Sequence, residues 1–122
     1  MNQESIFINK LTKETLKGNI LWNIVNHKGI ELPHDEKVTS KVYTATVSSK
    51  KIRVYEYQYK HYVDEEEWLW NRRARLEMID DNSERLYEFE YDYSLYDLFN
   101  SIAKMTANVD DFINNFLNSA EE

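Results

Sequence analysis

Tyr55, Tyr57 and Tyr59 alternate with Glu56, Gln58 and Lys60, so a β-strand would place all three rings on one side. The chemistry this offers is contact rather than bond making. Tyrosine joins a large ring to a hydrogen-bonding end and arginine joins a planar cation to several donors, which is why both are enriched where proteins meet. Arg73 and Arg75, and Glu88 and Glu90, share the same spacing of two. A second candidate is the run Asp64, Glu65, Glu66 and Glu67, four consecutive acids that could imitate a row of phosphates or dock on an Arg/Lys patch. Read without function, the same run is a solvated loop tip.

Signals for catalysis and metal binding are sparse. His27, His34 and His61 lack the paired spacing of a zinc site, and no cysteine completes a set. Calcium is disfavoured because no D-x-D-x-D-G spacing occurs near the acidic run. The chain has no P-loop, G-x-G-x-x-G, G-x-S-x-G or H-E-x-x-H, and its two glycines could not build a phosphate cradle. Glu88 and Glu90 share a strand face with Arg73 and Arg75, and so read as neutralised rather than tuned for acid/base work. The expectation is a non-enzyme without cofactor or metal.

The elements that must hold these residues follow from periodicity. Phe7, Ile8, Leu11 and Leu16 predict a helix over 4–17 ended by Gly18, and Ile20 to Val25 reads as a short strand. Residues 26–41, with Gly29 and Pro33, read as one long loop. Strands are then expected over 42–47, 52–62, 68–79 and 85–93, with separators short enough for consecutive hairpins. Ser94 with Asp97 resembles a capping box, and Asn108 with Asp111 repeats it, predicting helices over about 95–105 and 109–118. The sum is a single α+β domain over 1–122: an N-terminal helix, an antiparallel meander of four to five strands, and a C-terminal helix or kinked pair on one sheet face.

Register follows from matching like with like across strands. Placing Asp81 and Asn82 in the last turn opposes Arg75 with Glu88 and Arg73 with Glu90. Pairing Tyr62 with Trp68 sets Val54 opposite Leu76, Tyr55 opposite Arg75 and Tyr57 opposite Arg73, and a turn at Ser49 and Lys50 adds Val47 and Ala45 to the apolar side. The inner face is then Ile52, Val54, Ala74, Leu76 and their neighbours under the helices. The outer face carries Arg53, Tyr55, Tyr57, Tyr59, Arg73, Arg75, Glu77, Glu88 and Glu90 as a candidate partner-binding surface. Two other accounts stand beside it: tyrosine and threonine are simply good strand formers, or the register fails and the tyrosines are core.

Charge is unevenly placed. Residues 1–62 hold ten Lys/Arg against six Asp/Glu, whereas 63–122 hold five against sixteen, so a net −7 chain has a strongly acidic second half. Such a field opposes a nucleic-acid backbone, and the basic-Gly-aromatic strand motif of RNA-recognition domains is missing, so direct nucleic-acid binding is not expected. It favours a protein partner with a basic surface. Without cysteine, a signal-like N-terminal stretch or a long apolar run, the expected place is the cytoplasm, with no membrane contact.

Leu11-Thr12, Thr15, Gly18, Ile20 and Trp22, then Ile52-Arg53 with the tyrosine ladder, the acidic turn, Arg75-Leu76-Glu77, Ile79-Asp80-Asp81 and finally Ala107-Asn108-Val109-Asp110-Asp111-Phe112 carry a resemblance. Over most of its length the chain resembles small acidic proteins of unassigned function from Gram-positive chromosomes, prophages and plasmids. The resemblance implies a mobile-element or accessory context and assigns no residue a role. Two functions follow as expectations. One is a stoichiometric inhibitor, immunity-type or anti-defence protein that occludes a basic site on a partner. The other is a self-assembling accessory protein forming a homodimer through an edge strand, 20–25 or 42–47. An uncharacterised enzyme is a third reading.

Overall fold

The computed structural model describes residues 2–26 and 30–119. Along the chain run α1 (Gln3–Leu16), β1 (Asn23–Val25), β2 (Glu36–Val38), β3 (Val42–Val47), β4 (Lys50–Tyr62), β5 (Trp68–Ile79), β6 (Arg85–Glu88), α2 (Ser94–Thr106) and α3 (Val109–Leu117). The fold is α+β, with one antiparallel sheet of six strands, in the order β1-β3-β4-β5-β6 with β2 also paired to β4. The extra strand beyond the expected four to five is β2, which forms inside the segment read as a loop. No helix among the described residues is long and apolar enough to cross a membrane.

α1 begins where the Asn2 side chain accepts the Ser5 N–H at 2.8 Å. It buries Ile8, Leu11 and Thr15 on one side. Its end is a Schellman motif: Gly18 at φ 79° donates to Thr15 O at 3.0 Å, and Asn19 donates to Glu14 O at 2.9 Å. α2 starts differently from the expected Ser94–Asp97 box. Asp92 does the capping, accepting the Ser94 N–H at 2.9 Å and the Ser94 hydroxyl at 2.7 Å. Asn108 likewise makes no side-chain cap; it sits left-handed at φ 54° between α2 and α3.

The β4–β5 register is as the pattern predicts, from Lys51 opposite Ile79 through Val54 opposite Leu76 to Tyr62 opposite Trp68. Both flanking hairpins differ from expectation. The β3–β4 turn is Ser48–Ser49, both with positive φ, which suits the twist of a two-residue hairpin, and pairs Val47 with Lys50. In the β5–β6 hairpin the Asp80 side chain accepts the Asn82 and Glu84 N–H groups, and a bulge sets Glu77 opposite Glu88 and Met78 opposite Tyr87. Arg75 is therefore not directly opposite Glu88. Each pairing slips by an even count, so every side chain keeps its expected face.

α1 and α2 lie together on one face over a core of Ile8, Leu11, Trp22, Tyr43, Ala45, Ile52, Val54, Ala74, Leu76, Leu95, Leu98 and Ile102. Its one indole donor is satisfied by Thr15 Oγ1 at 3.0 Å. The opposite face is not open, which corrects the sequence reading. Ile30, Leu32 and Val38, from the strap that ends in β2, pack over Val42, Tyr55, Tyr57 and Tyr59. The strap is anchored by the Lys60 N–H to Asp35 O at 3.0 Å and the Thr39 N–H to Glu56 O at 3.1 Å. β3 is also not an edge, since β1 pairs along its outer side, so the expected dimer contact through 42–47 is closed.

Candidate functional site

Two regions gather the predicted site residues. The first is the strapped face. Tyr55 is 0% exposed and Tyr57 7%, so neither forms a partner surface; only Tyr59 is half-buried. Burial raises the Tyr55 phenol above its ordinary value, helped by the Glu77 carboxylate, and burial likewise raises Tyr57. The Tyr55 hydroxyl donates to Glu77 Oε2 at 3.1 Å. Glu77 is itself 0% exposed and is held by Arg53 Nε at 2.7 Å and Arg85 Nε at 2.5 Å.

Arg75 completes this network. Its Nε donates to Glu88 Oε2 at 2.9 Å, its terminal nitrogens reach Glu36 at 3.1 and 3.4 Å, and its guanidinium carbon stands 3.8 Å from the Tyr57 ring centroid. Burial opposes its charge, but hydrogen bonds to Glu36 and Tyr55 outweigh this and hold the group above its ordinary value. Three arginines thus meet Glu36, Glu77 and Glu88 within hydrogen-bonding distance, so charge is balanced locally. The cluster locks strap, sheet and last hairpin together; it presents no free base or acid.

Sequence reasoning had brought Arg75 and Glu88 together, which the structure does, and Arg73 with Glu90, which it does not. Arg73 instead stacks on Tyr59 at 5.0 Å and Tyr91 at 4.3 Å, while the Glu90 N–H donates to Glu4 Oε1 at 2.9 Å. The residues missed were Arg53, Glu77, Arg85 and Glu36. The first pair was legible, because the register that opposes Tyr55 with Arg75 also opposes Arg53 with Glu77. Glu36 carried no such signal, since it arrives from the strap.

The second region is the far end of the β4–β5 hairpin. β2 reaches only as far as Tyr59, and β6 pairs only with the opposite end of β5. Lys60, His61 and Tyr62 therefore pair with Trp70, Leu69 and Trp68 alone, as a two-stranded arm beyond the sheet. At roughly 3.4 Å per residue, with its turn, it projects on the order of 10–15 Å. All residues from His61 to Leu69 are exposed.

The arm is ordered by its own side chains. Trp68 and Trp70 meet edge to face at 5.3 Å, with Lys60 Nζ 4.4 Å from the Trp68 ring and Lys37 Nζ 4.7 Å from Trp70. At the tip, Asp64 Oδ1 accepts the N–H groups of Glu66 at 2.8 Å and Glu67 at 2.9 Å, an Asx turn closed by the Val63 N–H to Glu67 O at 2.9 Å. Asp64 is thus spent on structure. Among the described residues none forms an ion pair with Glu65, Glu66 or Glu67. Behind them Tyr62, Val63, Trp68 and Leu69 are exposed apolar surface.

Among the described residues no group of three or more His, Cys, Asp or Glu could hold a metal ion. His34 and His61 are exposed and apart, and His27 lies outside the described residues. A polar cleft of about 580 Å³ lies beside the strap, lined by Ile30, Glu31, Arg53 and Asn82 to Arg85. Its two arginines are already bound to Glu77. The chain matches no protein-family model, no curated protein and no solved structure.

Proposed function

We propose that the protein is a small acidic protein-binding module, a stoichiometric inhibitor, immunity-type or anti-defence protein of a mobile element, that occludes a basic site on a partner protein. The observation that carries this reading is the arm: a rigid two-stranded projection whose tip offers Glu65, Glu66 and Glu67 without internal partners. Acids ahead of an exposed Tyr62, Val63, Trp68 and Leu69 match a cleft with a Lys/Arg floor and apolar walls, such as the nucleic-acid groove of another protein. Burial of Tyr55 and Tyr57 moves the contact surface outward along the same hairpin, leaving Tyr59 and Arg73 at its base. The mobile-element setting rests on the sequence resemblance, and the cysteine-free composition agrees with action in the cytoplasm.

Affinity capture from a cell of origin, followed by titration of the captured protein, tests this. The expected partner is basic, binds one to one, and loses affinity steeply as salt rises. Replacing Glu65, Glu66 and Glu67 together by Gln should weaken binding about ten- to a hundredfold, mainly by slowing association, and Trp68→Ala should weaken it through faster dissociation. Capture of no protein, or variants that bind as the wild type does, removes the reading.

A further inference from the structure

α3 is a helix without a core. Val109, Phe112, Ile113, Phe116 and Leu117 share one side, yet Phe112 is 72% exposed, Phe116 74% and Leu117 70%, and no α3 residue is buried. Its nine residues fall below the roughly 12–15 at which an isolated helix is even marginal in water. Asn108 gives it no side-chain cap, and its ties to the body are packing against α2 and the exposed Lys104–Asp110 pair at 3.5 Å. A helix so placed gains its stability from whatever covers the apolar side.

We propose that α3 is covered by α3 of a second copy, in a two-fold symmetric dimer. Charge selects this occupant. Asn114, Asn115 and Asn118 supply most of the polar side, Asp110 is matched by Lys104, and at roughly 3.6 residues per turn Asp111 falls opposite Val109. The apolar side is thus nearly free of charge in a chain of net −7, which suits burial against itself and leaves the cations of a basic groove unmatched. The area also suffices. The five exposed side chains offer roughly 500 Å², since each aromatic alone has about 150–250 Å², and burial on both copies gives roughly 1,000 Å², the lower bound for a specific interface.

Sedimentation equilibrium of the full chain from about 1 to about 200 µM tests this. The wild type is expected to show a monomer–dimer equilibrium, little weakened by salt because the contact is apolar. Phe116→Asp should weaken the dimer at least about tenfold while the tryptophan-monitored urea transition stays in place, because Phe116 packs in neither core. Should that variant lose the transition, Phe112→Ser gives the same reading. Leu69→Asp, on the arm, should leave the dimer intact, which separates this contact from partner binding. A wild type monomeric throughout overturns the proposal, even if α3 then binds another protein. So does a dimer untouched by both α3 variants, which would point to the open edges of β1 and β6.

Discussion

Arg53 and Glu77 face each other across β4 and β5 as direct register partners, their Nε and Oε1 atoms 2.7 Å apart, with Arg53 5% exposed and Glu77 0%. A carboxylate so deep is tolerable only because Arg53, Arg85 and the Tyr55 hydroxyl converge on it.

Removing the carboxylate strands two guanidinium groups. Glu77→Ala is expected to cost about 3 to 5 kcal/mol, the usual cost of breaking a buried pair from one side. Replacing Arg53 by Met and Glu77 by Leu together should cost less than Glu77→Ala alone, because the charges leave as a pair. Urea unfolding of the three proteins decides it, and a double variant weaker than Glu77→Ala would mean that the remaining Arg85 dominates the cluster.

Tyr57 distinguishes core from surface. At 7% exposure, packed between Val42 and the strap, Tyr57→Ala should lose roughly 3–5 kcal/mol of stability, whereas the half-buried Tyr59→Ala should lose less than about 2. Thermal melts suffice. Equal, small effects would show that the strap does not hold the tyrosine layer in solution.

These two sites also mark how far the sequence could be read. The long β4–β5 register was legible because twelve alternating pairs must satisfy both faces at once, and a slip of one residue would bury Arg and expose Leu. Hairpin turns were less so: a slip of two costs no change of face, and Ser48 and Ser83 at positive φ give none of the glycine signal that usually marks such turns. The strap was illegible. Ile30, Leu32 and Val38 are too few and too irregular to predict a covering layer, so the face they bury was read as open. α3 shows the converse, a clear periodic pattern that does not say whether the apolar side is covered within the chain.

Gly18 is required by its backbone and not by crowding. It sits at φ 79°, and a β-carbon there would meet nothing within 4 Å. Gly18→Ala should therefore destabilise by about 1–2 kcal/mol, the left-handed penalty, and Gly18→Asn by less. Urea midpoints for the two variants check the order; if alanine is neutral, the helix end has relaxed into another cap.

Asp92 gives stability a dependence on pH. Its carboxylate accepts the Ser94 N–H, then the Ser5 hydroxyl at 2.7 Å and the Ser94 hydroxyl, and these bonds hold its pKa below the ordinary 3.8. A carboxylate whose pKa is lowered by folding adds stability that is complete above its unfolded value, near 4, and fades as pH falls through the folded value. Stability set by this group should thus be level from about pH 5 upward and fall below about pH 4. Asp92→Asn keeps an acceptor for the Ser94 N–H but cannot ionise, so it should be less stable at pH 7 and lose less on acidification. Urea midpoints of both proteins at pH 7 and at about pH 3 measure the difference, and equal losses on acidification would place the acid sensitivity in other carboxylates, Glu77 and Glu36 first among them.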